Sequence, residues 1–402
     1  MGIYTVQTNS ETDKAVETAL NRVVDRILSL MDGHLDAIVL TGGFGRGEGG
    51  VICENGRFRP VNDFDIVVIV SKGYLRSCKR FARQLQELGE KLTPVCGVKQ
   101  MDIGISHPLR FRFAPNLVES YEIRNGHKVL WGDIDLKQLM PPLPAERLPL
   151  LDGAIYFLSR GSGLLIPALY FLPNRKVARR HRENLVIELD KACIAIGDAL
   201  LLLRRQYHYS YVERQQRMEA MDMHDVPEAE RVRACYVEAV QRKLRPQFDW
   251  AGDTVMMDRW FWVRDLFGRF FLRFEGRRLK KRFEDWEAYS RFVEQNVRDP
   301  LGDQMRRFLR VVVRSGIFKT FTKKEREKLS RKSQPFRWAT MPTILFSLER
   351  DNVDSKLMNR GRTLLSLRQT EPTVNAWEET ARVYLAVFHR EGVVKELLQE
   401  KP

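Results

Sequence analysis

Apolar residues recur at helical spacing over residues 11–31, where Ala15, Leu20, Val23, Val24, Ile27 and Leu28 share one side. The spacing predicts an amphipathic helix. A short apolar run, DAIVL at 36–40, follows and predicts a strand that ends at a glycine-rich segment. NDFDIVVIV at 62–70 is denser in β-branched residues and predicts a strand buried in a sheet. Helical spacing returns over 74–92, with Leu75, Phe81, Leu85 and Leu88 on one side. KQMDIGIS (99–106) and VLWGD (129–133) predict a third and a fourth strand. The clustered prolines of MPPLP (140–144) break either period and mark a boundary.

The pattern changes after that boundary. ENLVIELDKACIAIGDALLLLRR (183–205) is apolar nearly all round, which predicts a helix central to a bundle. Residues 227–244, 258–296, 299–314 and 373–399 also carry helical periodicity. The most apolar window, AIYFLSRGSGLLIPALYFL (154–172), is broken by Arg160, two glycines, two serines and Pro167. A buried helical hairpin is expected there rather than a membrane span. The expected fold class is α+β. A small mixed-sheet domain over 1–140 precedes a mostly α-helical region over 141–402, with a linker-like subdivision near 315–340.

Composition refines this picture. The 402 residues are 44% hydrophobic and 30% charged, ordinary for a globular chain and unlike a disordered one. The net charge of +15 favours acidic partners: nucleotides, nucleic acid, anionic lipid or polyanionic glycan. The five cysteines (Cys53, Cys78, Cys96, Cys193, Cys235) are dispersed and form no CxxC pair, so free thiols are expected. The start, MGIYTVQTNSETDK, has no basic-then-apolar targeting pattern. Together these predict a soluble cytoplasmic protein.

The chemistry concentrates around TGGFGRGEGG at 41–50. GRGEGG (45–50) matches GxGxxG, but a dinucleotide fold needs a helix to open at once, and VICENGRFRPVND has no helical pattern. A kinase glycine loop would need HRD and DFG motifs, which the chain lacks. A purely structural turn is the plainer alternative. Against it, Asp63-Phe64-Asp65 opens the apolar strand that follows. Residues two apart on a strand share a face, so two carboxylates stand together there. A divalent cation with hard oxygen ligands relieves their repulsion, and magnesium suits such a site. Asp102 in MDIGIS is the preferred third carboxylate; Asp133 and Asp135 in WGDIDL compete, with a capping or turn role expected for them.

GGFGRGEG, then NDFDIVV, then MDIGI resembles the polymerase-β-type nucleotidyltransferase superfamily, over roughly residues 36–106. The resemblance implies that Gly42 and Gly43 form the turn that holds the triphosphate. It implies that Asp63 and Asp65 hold two magnesium ions, with manganese as a substitute, and that Asp102 completes the set. Arg46 matches a basic position after the turn and is expected to contact phosphate; pairing with Glu48 is the alternative. Two departures stand out. Gly43 occupies a position where many members have serine. Residues 44–62 also make a long gap between turn and acids, which a protruding hairpin around CENGRFRP would absorb.

The implied activity is transfer of a nucleoside monophosphate from a nucleoside triphosphate, with ATP the expected donor, to an acceptor hydroxyl. The acceptor is a small molecule, a protein or a nucleic acid. The alternatives are a non-catalytic nucleotide- or nucleic-acid-binding protein of the same fold, or an RNA or second-messenger nucleotidyltransferase.

The helical region is expected to bind the acceptor. RKVARRHREN (175–184) is strongly basic, with a solvated face as the plainer reading. Residues 259–282 interleave nine Lys/Arg with aromatics and offer nucleic-acid contact. Trp260, Val263, Phe267, Phe270, Phe271 and Phe274 nevertheless fall at helical spacing, which predicts a core-facing stripe with a basic outer face. Arg217 and His224 have a spacing seen in some helical ribonucleases, a pairing that 67 basic residues produce by chance.

Overall fold

A computed structural model describes residues 2–7, 10–54, 57–172, 176–298 and 334–388. The order runs α1 (Ser10–Met31), β1 (Ala37–Thr41), α2 (Gly42–Gly45), β2 (Val51–Glu54), β3 (Arg57–Pro60), β4 (Phe64–Ile69), α3 (Tyr74–Cys96) and β5 (Met101–Ser106). Next come α4 (Pro108–Arg112), α5 (Val118–Asn125), β6 (Lys128–Gly132), α6 (Leu136–Leu139), α7 (Leu150–Phe171), α8 (Arg179–Leu203), α9 (Tyr211–Ala220) and α10 (Ala229–Leu244). The remaining described helices are α11 (Asp253–Leu279), α12 (Trp286–Asn296), α13 (Gln334–Leu345), α14 (Ser355–Leu364) and α15 (Val374–Phe388). The chain is α+β and mostly helical. It divides into two compact units, one of Met1–Gly153 with Ile196–Asp249, the other of Ala154–Ala195 with Trp250–Pro402.

The first unit is built on a four-stranded mixed sheet in the order β5-β4-β1-β6. β1 pairs antiparallel with both β4 and β6, whereas β4 and β5 run parallel. A parallel pair requires a crossover, and α3 supplies it. The interior position of β1 explains its composition: all five residues of AIVLT are buried. Val16, Leu20, Val23 and Ile27 of α1 and Phe81 and Leu85 of α3 form one apolar cluster with Ile38, Leu40, Ile66 and Val68 of the sheet. The two amphipathic helices thus meet the sheet largely with the faces that their periodicities predict, but Leu75, expected on the apolar side of α3, lies in its first turn and is 81% exposed. Val51–Glu54 and Arg57–Pro60 pair antiparallel as a separate two-stranded sheet, as expected for the long gap. Its base closes where Val61 N–H donates to the Gly50 carbonyl at 2.8 Å and Asn62 Oδ1 accepts from Gly50 N–H. The insertion therefore returns the chain to the sheet at Asp63.

The second unit is helical and rich in aromatic packing. Phe157 stacks on Phe271 with ring centroids 4.9 Å apart. Three fully buried indoles each donate to a helix carbonyl: Trp260 to Leu164 at 3.0 Å, Trp338 to Ala154 at 3.2 Å and Trp377 to Ile344 at 2.8 Å. Such rings bury a large apolar area only when the N–H finds a partner.

Several expectations need correction. Residues 154–172 do not turn back as a hairpin; α7 runs through Gly161, Gly163 and Pro167 as one helix. Each of the two glycines admits a neighbour, Met341 at Gly161 and Glu188 at Gly163. α7 alone among the described residues is long and apolar enough to cross a membrane, and 72% of its apolar window is buried inside the protein. The run at 258–296 is two helices, separated after Lys280 adopts a left-handed backbone with φ 53°. The helix expected at 299–314, and 315–333 of the linker-like stretch, lie outside the described residues, as do residues 389–399 of the last helix. Residues 334–340 of that stretch belong to α13. Cys53, Cys78 and Cys96 are free thiols, but Cys193 and Cys235 are disulfide-bonded. Cysteines far apart in sequence leave no spacing signature.

Phe64 lies between the two acids of β4, fully buried, and meets Phe44 of α2 edge-on at 4.9 Å. Phe64→Ala is expected to destabilise the chain by roughly 3–5 kcal/mol through the cavity it leaves. The shift of the urea unfolding midpoint measures this.

Candidate functional site

Asp63 immediately precedes β4, and Asp65 is its second residue. Burial alternates there: Phe64 and Ile66 are buried, whereas Asp63, Asp65 and Val67 are half-buried. The acids thus share the partly open face while Phe64 anchors the core. In the parallel ladder Asp65 is the register partner of Asp102. Paired residues on neighbouring strands point to the same face, so β5 brings the third carboxylate beside the second. Gln100 Nε2 donates to Asp102 Oδ1 at 3.0 Å. The competitors sit elsewhere. Asp135 caps α6, accepting from Gln138 N–H at 3.0 Å, and both Asp133 and Asp135 are exposed.

The first part of the glycine segment, Gly42–Gly45, is a one-turn helix, and residues 46–50 continue as turn and loop. Gly42 opens it with φ +68°, and a Cβ there would lie 2.1 Å from Asp65 Oδ2. Only glycine tolerates both the backbone and the contact. Gly43 follows, and its carbonyl accepts from Glu48 N–H at 2.8 Å. Thr41, before the turn, places no side-chain cap on it.

Arg46 and Glu48 point away from solvent. The Arg46 side chain is only 6% exposed, and its Nη1 donates to Glu122 Oε2 of α5 at 3.0 Å. Its Nε lies 3.6 Å from Glu48 Oε2, a Coulombic pairing too long for a hydrogen bond. Glu48 in turn accepts three hydrogen bonds at the start of α9: Ser210 Oγ at 2.6 Å, Tyr211 N–H at 2.9 Å and Val212 N–H at 3.1 Å. A carboxylate at a helix N-terminus satisfies orphan donors and complements the helix dipole.

The network continues inward. Glu122 Oε1 accepts from Tyr207 OH at 2.7 Å and from Arg214 Nη2 at 3.3 Å. Arg214 is buried, pairs with Asp198 of α8 at 2.6 Å and lies 3.7 Å over the Tyr211 ring. Tyr236 OH of α10 donates to Asp198 at 2.9 Å. Burial acts to raise the Glu122 carboxyl, but Arg46 and Arg214 outweigh it and hold the group below its ordinary range.

Sequence reasoning missed Glu122, Asp198, Arg214 and Tyr236. One signal was available: Asp198 sits in the otherwise apolar IAIGDALLLL, and a buried carboxylate in such a run needs a partner. The discounted Arg217 and His224 bond separately, Arg217 to Glu213 at 2.8 Å and His224 to Asp222 at 2.9 Å. In α11 the predicted stripe of Trp260, Val263, Phe267, Phe270, Phe271 and Phe274 is buried in the core. Its rings are therefore not available to stack on bases.

Electrostatically, the acids are in conflict. Burial, then the charges of Asp63 and Asp102, push the Asp65 carboxyl up to about 6, with Arg46 and Lys243 acting in the opposite direction. Three hard carboxylate donors that repel one another fit a divalent cation by chemistry. Among the described residues, however, no group of three His, Cys, Asp or Glu stands close enough to hold a metal ion. No protein-family model, curated protein or solved structure matches the chain.

Two outcomes are expected. A carboxyl whose folded pKa is raised from 3.8 to about 6 destabilises the fold once it ionises. The unfolded chain releases this proton first, so stability falls as pH rises from about 4 to 6, by on the order of 3 kcal/mol. In chelator-containing buffer, Asp65→Asn should therefore melt above wild type at pH 7 and match it near pH 4; a pH-independent difference contradicts the assignment. Glu48→Ala should cost roughly 3–5 kcal/mol in urea unfolding, because Arg46 and the α9 amides lose a buried charged partner. Glu48→Gln should recover part of that loss.

Proposed function

We propose that this chain is a nucleotidyltransferase of the polymerase-β type. It would move a nucleoside monophosphate from a nucleoside triphosphate, with ATP the expected donor, to an acceptor hydroxyl. The acceptor oxygen forms a bond to the α-phosphorus as the α–β bridging P–O bond breaks. Pyrophosphate leaves, and the hydroxyl proton passes to a base.

The observation that carries this reading is the junction of turn and acids. Gly42 packs directly on the Asp65 carboxylate, and Asp65 is in register with Asp102 on the neighbouring strand. Triphosphate oxygens bound at the Gly42 and Gly43 amides would thus stand beside three carboxylates. Asp63, Asp65 and Asp102 would hold Mg2+ or Mn2+, which when bound supplies charge neutralisation for the phosphates and acidifies the acceptor hydroxyl. Asp102, the strand neighbour, is the residue assigned to take the acceptor proton. Asp65 must be ionised to bind a cation, and its raised affinity for protons disfavours that state below pH about 6. Arg46, committed to Glu122 and Glu48, serves in this reading to fix the turn rather than to grip phosphate.

A second reading, nucleotide binding without transfer, is favoured by one observation: the carboxylates are not gathered at ligand spacing. Incubation with α-labelled nucleoside triphosphates, Mg2+ or Mn2+, and sugar, nucleoside, protein or RNA acceptors separates the two. Transfer with equimolar pyrophosphate release is expected, and Asp63→Asn and Asp65→Asn should each reduce it by more than about a hundredfold, as removal of a metal ligand does. Activity within tenfold of wild type in either folded variant contradicts the assignment, and binding without release supports the second reading.

A further inference from the structure

The buried network leaves one cation over. Glu48 is matched by the N-terminus of α9, to which it accepts three hydrogen bonds. Glu122 and Asp198 are matched by Arg46 and Arg214, two charges against two. Lys243, in the last turn of α10, belongs to neither set. Among the described residues no carboxylate lies within ion-pair distance of its Nζ, whose contact is the Tyr211 ring at 5.0 Å. The side chain is half-buried, and its charge reaches both Asp65 and Glu122.

Its place beside the glycine segment is built in. A Cβ at Gly50 would lie 2.7 Å from the Lys243 carbonyl oxygen, so the segment's last glycine permits the backbone of α10 to close on it. The same ring under Lys243 also lies 5.3 Å from the Arg46 guanidinium and begins the helix that Glu48 caps. Turn and lysine are thus positioned by one set of contacts, and the strand ladder sets the acids beside the turn. Holding an ammonium within electrostatic reach of Asp65 and Glu122 without an ion pair costs side-chain entropy and desolvation, and an anionic ligand repays both.

We propose that Lys243 is the cation that binds the terminal phosphates of the nucleoside triphosphate, so that α10 completes the nucleotide site begun by Gly42 and Gly43. The inference rests on the nucleotidyltransferase reading for the ligand, and on the charge accounting for the residue. Lys243 replaces Arg46, whose guanidinium is enclosed by carboxylates, as the phosphate-binding cation. A flexible ammonium suits a ligand whose β- and γ-phosphates leave together as pyrophosphate, because it can follow the departing charge.

The test is calorimetric titration of the full chain with AMP, ADP and ATP in Mg2+ buffer, for wild type, Lys243→Met and Lys243→Arg. The methionine variant should lose about tenfold or more in ATP affinity, less for ADP, and stay within about twofold for AMP, since only the outer phosphates meet the ammonium. The arginine variant should keep most ATP affinity. Equal weakening for all three nucleotides assigns Lys243 a structural role and overturns the proposal, as does unchanged ATP binding. Wild type binding none of the three removes the nucleotide reading itself and the proposal with it. Wild-type ATP binding that survives in Lys243→Met removes only the lysine's role. Should Lys243→Met fail to fold, Lys243→Gln is read in the same way.

Discussion

The candidate site depends on a chain of buried charges that ties the glycine segment to helices more than 150 residues away. Glu48 seals the start of α9, Arg46 reaches Glu122, and Glu122 shares Arg214 with Asp198. Each member is costly to bury alone and tolerable only because the others are present. Two guanidiniums face two carboxylates, and a helix terminus answers the third. The consequence is geometric: a six-glycine segment that would otherwise be the most variable stretch of the chain has a fixed position. That position places Gly42 on Asp65.

The acids beside the turn are electrostatically unfavourable neighbours. Asp65 sits half-buried between Asp63 and Asp102, and its carboxyl is pushed up to about 6. A fold selected for stability alone would place an amide or an apolar residue there. The same sheet supplies the rigidity. β1 and β4 are interior strands, and the parallel β4–β5 ladder sets Asp65 beside Asp102 without help from any loop.

The helices α9 and α10 therefore belong with the sheet rather than with the helical region that follows it in sequence. Residues 196–249 pack in one compact unit with 1–153. Tyr211 is the pivot, with Arg46, Arg214 and Lys243 all placed over its ring. Aromatic rings attract such cations without taking up their hydrogen-bond donors. Arg46 and Arg214 each donate to carboxylates through their terminal nitrogens, whereas among the described residues no carboxylate lies within ion-pair distance of Lys243 Nζ.

The amino-acid sequence by itself determined the elements around the site. The helical spacing of 11–31 and 74–92, the apolar runs at 36–40 and 62–70, and the hairpin around CENGRFRP all reappear in the structure, because each is written in local periodicity or turn residues. It also singled out Asp63, Asp65 and Asp102, whose placement at strand starts is a local property. The short helices α4, α5 and α9 carried too little periodicity to be read, and the 154–172 window was misread because its glycines accommodate tertiary neighbours rather than a turn. The role of Arg46 was open between phosphate and Glu48; in the structure its guanidinium donates to Glu122 of α5 and lies 3.6 Å from Glu48, and no sequence spacing pointed to Glu122. The partners of Glu122, Asp198 and Arg214 could be read only from the tertiary structure. Charge pairing depends on distance in space, and no spacing along the chain encodes which guanidinium will meet which carboxylate.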